Sequence, residues 1–258
     1  MAENNISNIS ENGMRNIAVS LSYVGTNYHG WQIQKNAISV QEVFQTALYK
    51  ILGEEVDIKG CSRTDTGVHA NMYVINFKTY SHMGCENFIY ALNRHLPDDV
   101  AVYSCKEKPL DFHSRYSCKG KEYIYKIWNN KIKNPFLNKR ALHYWHLLDI
   151  KKMNEAAQYF VGKHDFTAFA TLDKRDTSNM ERTIKEFLIN KSESMVEFKV
   201  SADGFLYNMV RIMVGTLLRV SQGKIQPDDI PKIIESKNRF NAGPTAPPEG
   251  LYLNRVFY

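Results

Sequence analysis

The sequence predicts an α+β fold in which two halves repeat the element order β-α-β-β-α-β. Short segments with apolar residues at every second position predict strands, and longer segments with a period of 3.6 residues predict the helices between them. The chain has 258 residues, which is enough for two such halves. We therefore expect two antiparallel sheets with helices on one face, which leaves the other face of each sheet open to a ligand.

The first half begins with a strand over residues 17–23, where apolar side chains alternate along the chain. Ser39 and Glu42 form a capping box that predicts the start of a helix, and Gly53 predicts its end. A second helix is expected to stop at Pro97. The remaining elements of this half are strands predicted over 56–59, 72–78 and 100–106.

The second half begins with a strand predicted over 123–128. Asp149 is expected to cap a helix that ends at Gly162, and Pro227 is expected to begin a shorter helix. Residues 208–222 form a strongly apolar segment, which predicts a further helix between the other two. The remaining elements are strands predicted over 183–189, 195–201 and 251–257.

The domain organisation follows from this order of elements. Residues 1–13 are polar and lack aromatic side chains, which is typical of a disordered tail. We expect an N-terminal half over 14–112 and a C-terminal half over 113–258, with the boundary near the segment KEKPLDFHSR.

The composition favours a protein with a polyanionic partner, because the net charge is +6 and the pI is about 9.0. The four cysteines are widely spaced and form no C-x-x-C pair, so we expect reduced thiols in a cytoplasmic protein rather than disulfides or a zinc site. No apolar run is long enough to span a membrane. No histidine spacing predicts a metal site, and no glycine-rich nucleotide motif predicts a cofactor.

The segment GCSRTDTGVHA holds one carboxylate, Asp65, between Arg63 and Gly67. The simplest interpretation is a surface turn, because Asp, Thr and Gly favour turns and an exposed Asp–Arg pair is weak. The alternative is a catalytic carboxylate that the guanidinium keeps ionised. The DTG triplet is also the signature of aspartic proteases, which would need a homodimer to supply the second carboxylate. The many predicted helices count against that protease.

Arg211 lies within the apolar segment 208–222. An unpaired buried charge is costly, so a buried guanidinium at this position would need a carboxylate partner. The polar residues of the segment also recur every three or four positions, which would place Arg211 on a narrow stripe that faces solvent or a cleft. The spacing leaves both interpretations open.

Tyr123 and Tyr125 point to the same face of a predicted strand because of its two-residue period. Strand tyrosines are usually packing residues, but a tyrosine at a basic cleft can also stack on a nucleobase. His113 and Arg115 belong to a basic run before this strand, and two more basic runs follow it. Three such runs could follow a phosphate backbone, although charge runs are usually solvated loops. Further candidate cleft residues are His29 and Trp31.

Together these segments resemble the TruA-type tRNA pseudouridine synthases along nearly the whole chain, from about residue 16 to residue 258. The segments that carry the resemblance are SYVGTNYHGWQIQ, SVQEVFQTAL, GCSRTDTGVHA, LNRHLPDDV, DFHSRYSCKGKEYIYKI, GKHDFTAF, NMVRIMVGTLLRV and PPEGLYL. Their order and spacing match the family, which makes the set far more specific than the DTG triplet alone.

The resemblance implies a fold with two RRM-like halves flanking a central active-site cleft, in a homodimer. It implies isomerisation of uridine to pseudouridine in the anticodon stem-loop of tRNA, at positions 38, 39 and 40, with no cofactor and no metal. The expected partner is therefore tRNA and the expected location is the cytoplasm.

By the same resemblance, Asp65 is the catalytic nucleophile, Tyr123 stacks on the uracil, and Arg211 pairs with the aspartate. Arg63 matches the arginine that helps to expose the target base, and Leu251 matches a position that lines the uracil pocket. The further residues expected to bind substrate or RNA are Thr66, His69, His29, Trp31, His113 and Arg115.

Two departures from the family pattern concern sequence preference more than activity. Thr66 replaces the usual alanine after the aspartate, and the stretch NMYVINF after Ala70 lacks a glutamine that is often found there. A non-catalytic RNA-binding protein built on the same halves remains an alternative. A caged anion beside bound phosphates counts against it, because such an anion would only weaken binding.

Overall fold

The computed structural model describes residues 13–172 and 179–258. Over these ranges the chain forms ten strands and five α-helices, which confirms the predicted α+β class. It divides into two compact units, of which the first ends at Cys118 and also includes Tyr258, while the second spans Lys119–Phe257. Nearly all of the predicted tail lies outside the described residues.

The first unit has the predicted order of elements. They are β1 (Arg15–Tyr23), α1 (Val40–Leu52), β2 (Lys59–Gly60), β3 (His69–Thr79), α2 (Cys85–His95) and β4 (Val100–Lys108). The four strands are antiparallel in the order β4-β1-β3-β2. Strand β1 therefore lies in the middle of this sheet, which agrees with the fully buried side chains of Ile17, Val19 and Leu21.

Helix α1 begins and ends where the sequence predicts. The Ser39 hydroxyl accepts a hydrogen bond from the backbone N–H of Glu42 at 3.2 Å, so one free N–H of the first turn is satisfied. Gly53 follows the last turn with φ of 73°, a left-handed conformation that glycine adopts without strain. The apolar face of the helix places Phe44 and Leu48 in the core.

The second unit contains the remaining six strands and three helices of the described chain. They are β5 (Gly120–Trp128), β6 (Leu142–His143), α3 (Ile150–Gln158), β7 (Gly162–Asp165), β8 (Glu181–Ser192), β9 (Met195–Ala202), α4 (Met209–Ser221), α5 (Asp229–Ser236) and β10 (Leu251–Phe257). Its main sheet is antiparallel in the order β10-β5-β9-β8-β7, and β6 pairs with β5 in parallel.

The structure corrects two local predictions and adds two short strands. The strand expected over 56–59 is reduced to β2, because only Lys59 and Gly60 pair with β3. Helix α3 ends at Gln158 rather than at Gly162, which instead begins β7 with φ of 112°. The short strands β6 and β7 have no alternating pattern that would have predicted them. None of the helices in the described part of the chain has the length and apolar character that crossing a bilayer requires.

Helix α4 is closely covered by the segment 243–246 of the same unit. A Cβ atom added to Gly215 would lie 1.7 Å from the carbonyl oxygen of Pro244. One added to Gly243 would lie 2.6 Å from the backbone of Thr216. The two glycines therefore allow the backbones to touch, and the polar stripe predicted on α4 is buried at Gly215 instead of facing solvent.

Candidate active site

Asp65 lies in the loop between β2 and β3, on the first unit. Its carbonyl oxygen accepts a hydrogen bond from the N–H of Val68 at 3.1 Å, and Gly67 takes φ of 78° inside this turn. The side chain of Asp65 is half-buried, whereas Arg63 and Thr66 are exposed. The loop is thus a tight turn, as the simpler interpretation required, and it holds a half-buried acid between two residues with exposed side chains, Arg63 and Thr66.

The segment between β1 and α1 holds this turn on both sides of Asp65. The N–H of Trp31 donates to the carbonyl oxygen of Thr64 at 3.3 Å, and the N–H of Gly67 donates to that of Tyr28 at 3.2 Å. The hydroxyls of Tyr23 and Thr64 share a hydrogen bond of 2.8 Å. The backbone of Asp65 is therefore fixed through Thr64 before it and Gly67 after it, which is how a reactive side chain is kept in place.

Two glycines make this close approach possible. A Cβ atom at Gly30 would lie 2.2 Å from the carbonyl oxygen of Thr64, and one at Gly25 would lie 1.9 Å from that of Val68. Gly30 also takes φ of 83°, which few other residues adopt. The pair of segments 25–31 and 61–68 is hereafter called the double loop.

His69 and Trp31 support the double loop from inside the unit. His69 is fully buried, and its Nδ1 accepts a hydrogen bond from the N–H of Gly25 at 2.9 Å. Trp31 is 4% exposed and stacks on Tyr73, with ring centroids 4.1 Å apart. The hydroxyl of Tyr73 donates to the carbonyl oxygen of Ser62. His69 and Trp31, which the sequence suggested as RNA-binding residues, thus stabilise the double loop through contacts within the protein.

His29, His113 and Arg115 occupy more open positions on the first unit. His29 is exposed and lines a hollow of about 370 Å³ together with polar side chains that include Asn27 and Gln34. Arg115 is exposed, while His113 is half-buried. Partial burial and the nearby cation of Lys59 lower the pKa of His113. These three side chains are accessible to a ligand in a way that His69 and Trp31 are not.

Arg211 lies on the first turn of α4 in the second unit, and its guanidinium is oriented by two acceptors. Nε donates to the carbonyl oxygen of Ala246 at 2.7 Å, and Nη1 donates to Oδ1 of Asn208 at 2.7 Å. The N–H of Ala246 returns a bond to the carbonyl oxygen of Arg211 at 3.0 Å. Arg211 is therefore half-buried and directed, unlike a solvated surface arginine.

Tyr123 lies on β5, an inner strand of the second unit, between Val200 of β9 and Leu253 of β10. It is 7% exposed, and its ring meets that of Phe205 edge to face at 5.0 Å. Leu251 is 6% exposed and pairs with Tyr125. The tyrosine and the leucine expected to hold the uracil are thus on neighbouring strands.

Tyr125, which shares a strand face with Tyr123, has a structural role in the second unit. Its hydroxyl donates to the carbonyl oxygen of Pro247 at 2.8 Å, and Gly250 leaves room for its ring. Burial, reinforced by the carboxylate of Glu249, raises the pKa of Tyr125 far above its usual value. The ring therefore stays neutral and ties the segment that follows Ala246 to β5.

Sequence reasoning missed two residues that position the candidate side chains. Asn208 precedes α4 with φ of 62° and donates to Oγ1 of Thr171 at 2.9 Å while it holds Arg211. Its spacing of three residues from Arg211 was a usable signal, because such pairs meet on a helix. Phe205 had no comparable signal. Across the residues that the structure describes, no three His, Cys, Asp or Glu side chains are grouped to hold a metal ion.

The chain is similar to known proteins along most of its length. A family model described as tRNA pseudouridine synthase matches residues 19–117 and 156–258. The tRNA pseudouridine synthase A of Acetivibrio thermocellus is 49% identical over 245 residues, which cover 95% of this chain and 100% of the relative. The tRNA pseudouridine synthase A of Thermoanaerobacter pseudethanolicus has the same identity and coverage. That of Ruminiclostridium cellulolyticum is 46% identical over the same shares.

Proposed function

The chain belongs to the tRNA pseudouridine synthase family and isomerises uridine in tRNA, and we propose that its targets are positions 38, 39 and 40 of the anticodon stem-loop. The observation that carries the activity is 49% identity to a tRNA pseudouridine synthase A over 95% of the chain. The three positions are those that the resemblance to the TruA-type enzymes implies. Family membership removes the two alternatives, a non-catalytic RNA-binding protein and an aspartic protease. The α+β fold also differs from the all-β fold in which the protease motif occurs.

We propose that Asp65 is the catalytic carboxylate. The reaction breaks the N1–C1′ bond of uridine, rotates the uracil and joins C5 to C1′, while the C5 proton leaves and N1 gains a proton. A carboxylate can attack C1′ directly, or it can remove a sugar proton so that a glycal forms. The anchored turn around Asp65 supports both routes, because each needs the acid in one fixed position.

Tyr123 and Arg211 are proposed to serve the same reaction from the second unit. The detached uracil must be retained while it rotates, and the ring of Tyr123 with the side chain of Leu251 would supply an apolar surface for it. The oriented guanidinium of Arg211 would act as the counter-ion that keeps the catalytic acid charged. Its bonds to the carbonyl oxygen of Ala246 and to Oδ1 of Asn208 support this role, because they restrict the orientation of the guanidinium.

The accessible residues are proposed to bind RNA. Arg63 and Thr66 belong to the loop of the acid and are exposed, and an exposed guanidinium can help to draw the target base out of its stack. His29 is also exposed and belongs to the double loop. We assign His69 and Trp31 to positioning instead of RNA contact, since their burial and internal bonds support the turn.

We also propose that each unit is an RRM-like half. Strand order supports this, because β4-β1-β3-β2 and β10-β5-β9-β8 both place the first strand of the unit between its last strand and its last but one. The resemblance further implies a cytoplasmic homodimer. A species of about twice the chain mass of 29.8 kDa is therefore expected in light scattering, and a monomer at micromolar concentration would contradict it.

The reaction is tested directly with the purified protein and an unmodified tRNA transcript. We expect pseudouridine at one or more of positions 38, 39 and 40, mapped by carbodiimide labelling and primer extension. A matched transcript with cytidine at these three positions is the control and should stay unlabelled. Pseudouridine formed only at other positions would contradict the proposed targets, even though the family assignment would stand.

A further inference from the structure

The turn over residues 112–117 is anchored unusually firmly for a surface segment. Ser114 is fully buried, and its N–H donates to Oδ1 of Asn76 at 2.8 Å. Its hydroxyl donates to the carbonyl oxygen of Lys59 at 2.6 Å, and its carbonyl oxygen accepts from the hydroxyl of Tyr258 at 2.8 Å. Every polar group of Ser114 is thus engaged, which fixes the residues on either side of it.

His113 closes the turn with its own ring. Its Nδ1 accepts from the N–H of Arg115 at 3.1 Å and from that of Tyr116 at 3.4 Å. The backbone N–H of His113 donates to the hydroxyl of Ser117 at 3.1 Å. An acceptor at Nδ1 requires that this nitrogen carries no proton, and the lowered pKa of His113 is consistent with a neutral ring.

The side chains that this rigid turn presents are an aromatic ring and two basic groups. Tyr116 is 78% exposed. Its ring centroid lies 4.3 Å from that of His113, and the guanidinium carbon of Arg115 lies 5.9 Å from it. Exposing such a ring to water brings no stability to the fold, whereas a held ring loses little conformational entropy when a flat ligand stacks on it.

We propose that Tyr116 is a stacking platform for an unpaired nucleobase of the tRNA substrate, and that Arg115 binds a phosphate next to that base. This inference rests on the proposed function and names a contact of the same substrate. Every base has a π-face, so an exposed aromatic ring binds it with little regard to sequence. The adjacent guanidinium matches a nucleotide better than an apolar peptide, because it can pair with phosphate oxygens.

The position of the turn connects the platform to the candidate reaction centre within the first unit. Lys59, which accepts the Ser114 hydroxyl, belongs to β2, and the chain runs from there directly into the loop of Asp65. The turn and the catalytic loop therefore share an anchoring strand. A base held on Tyr116 would help to set the register of the RNA relative to Asp65.

The platform is tested by tRNA affinity and steady-state kinetics. Tyr116→Ala is expected to weaken tRNA binding about tenfold and to raise KM similarly, with kcat at saturating tRNA within about twofold of the original. Tyr116→Phe keeps the ring and should restore binding. The matched control is Tyr90→Ala on α2, because Tyr90 is 75% exposed and should leave affinity unchanged.

The salt dependence separates the two roles. Arg115→Ala should reduce the slope of log Kd against log salt by roughly 0.7 to 0.9, the value for one phosphate contact, whereas Tyr116→Ala should leave the slope unchanged. Unchanged affinity of Tyr116→Ala, or an equal loss in Tyr90→Ala, would overturn the platform while the original protein still forms pseudouridine. If the original protein forms none, the proposed function has failed instead.

Discussion

Asp65→Asn is expected to lower kcat for pseudouridine formation by at least about a thousandfold, equivalent to roughly 4 kcal/mol of lost transition-state stabilisation. An amide has the shape of the carboxylate but neither its charge nor its nucleophilicity, so neither proposed route can begin. Affinity for tRNA should stay within a few fold, because the bonds that hold the turn use the backbone of Asp65 and its neighbours. Tritium release from tRNA labelled at uridine C5 measures the turnover.

The control for this variant is Asp98→Asn, which removes an exposed carboxylate elsewhere on the first unit. It should leave tritium release unchanged. If Asp65→Asn released tritium at the original rate with an intact fold, Asp65 would return to the simple turn interpretation.

Arg211→Ala is expected to lower kcat about a hundredfold, with a much smaller effect on tRNA affinity. Removing one preorganised charged donor from an active site typically costs this much. Arg211→Lys should restore little, because one ammonium group cannot reproduce the separate bonds that Nε and Nη1 make to Ala246 and Asn208. Single-turnover rates at saturating enzyme separate this loss from weaker binding.

Arg219→Ala provides the matched control, since Arg219 lies on the same helix and is half-buried as well. Its single-turnover rate should remain within about twofold of the original. Equal rates for Arg211→Ala and the original protein would assign Arg211 to structure alone, in which case a lower melting temperature would be the main effect.

Sequence patterns were sufficient where the physical signal is local. The cap at Ser39, the left-handed Gly53 and the apolar period of α1 are properties of neighbouring residues, so they predicted the helix closely. The alternating residues over 17–23 likewise predicted strand β1. Predictions failed where tertiary pairing decides, as in β6, which is a strand only because Leu142 and His143 meet β5.

The same distinction applies to the candidate site. The spacing of Arg63, Asp65 and Gly67 was enough to suggest an acid in a tight turn. It could not show that His69 is buried behind that turn, because its Nδ1 bond goes to Gly25, 44 residues away. Nor could the apolar neighbours of Arg211 show that Ala246 orients it. Contacts of this kind depend on how distant segments meet, and one sequence does not contain them.

The contact between Gly25, Gly30 and the carbonyl oxygens of Val68 and Thr64 has a consequence for engineering. Neither glycine can be substituted without moving the opposing segment of the double loop, because a new Cβ atom at Gly25 or Gly30 would displace its backbone. A library intended to change which uridines are accepted should therefore diversify Arg63 and Thr66, whose side chains are exposed, and keep both glycines constant. Transplanting the loop of a relative would succeed only if both segments were exchanged as one cassette.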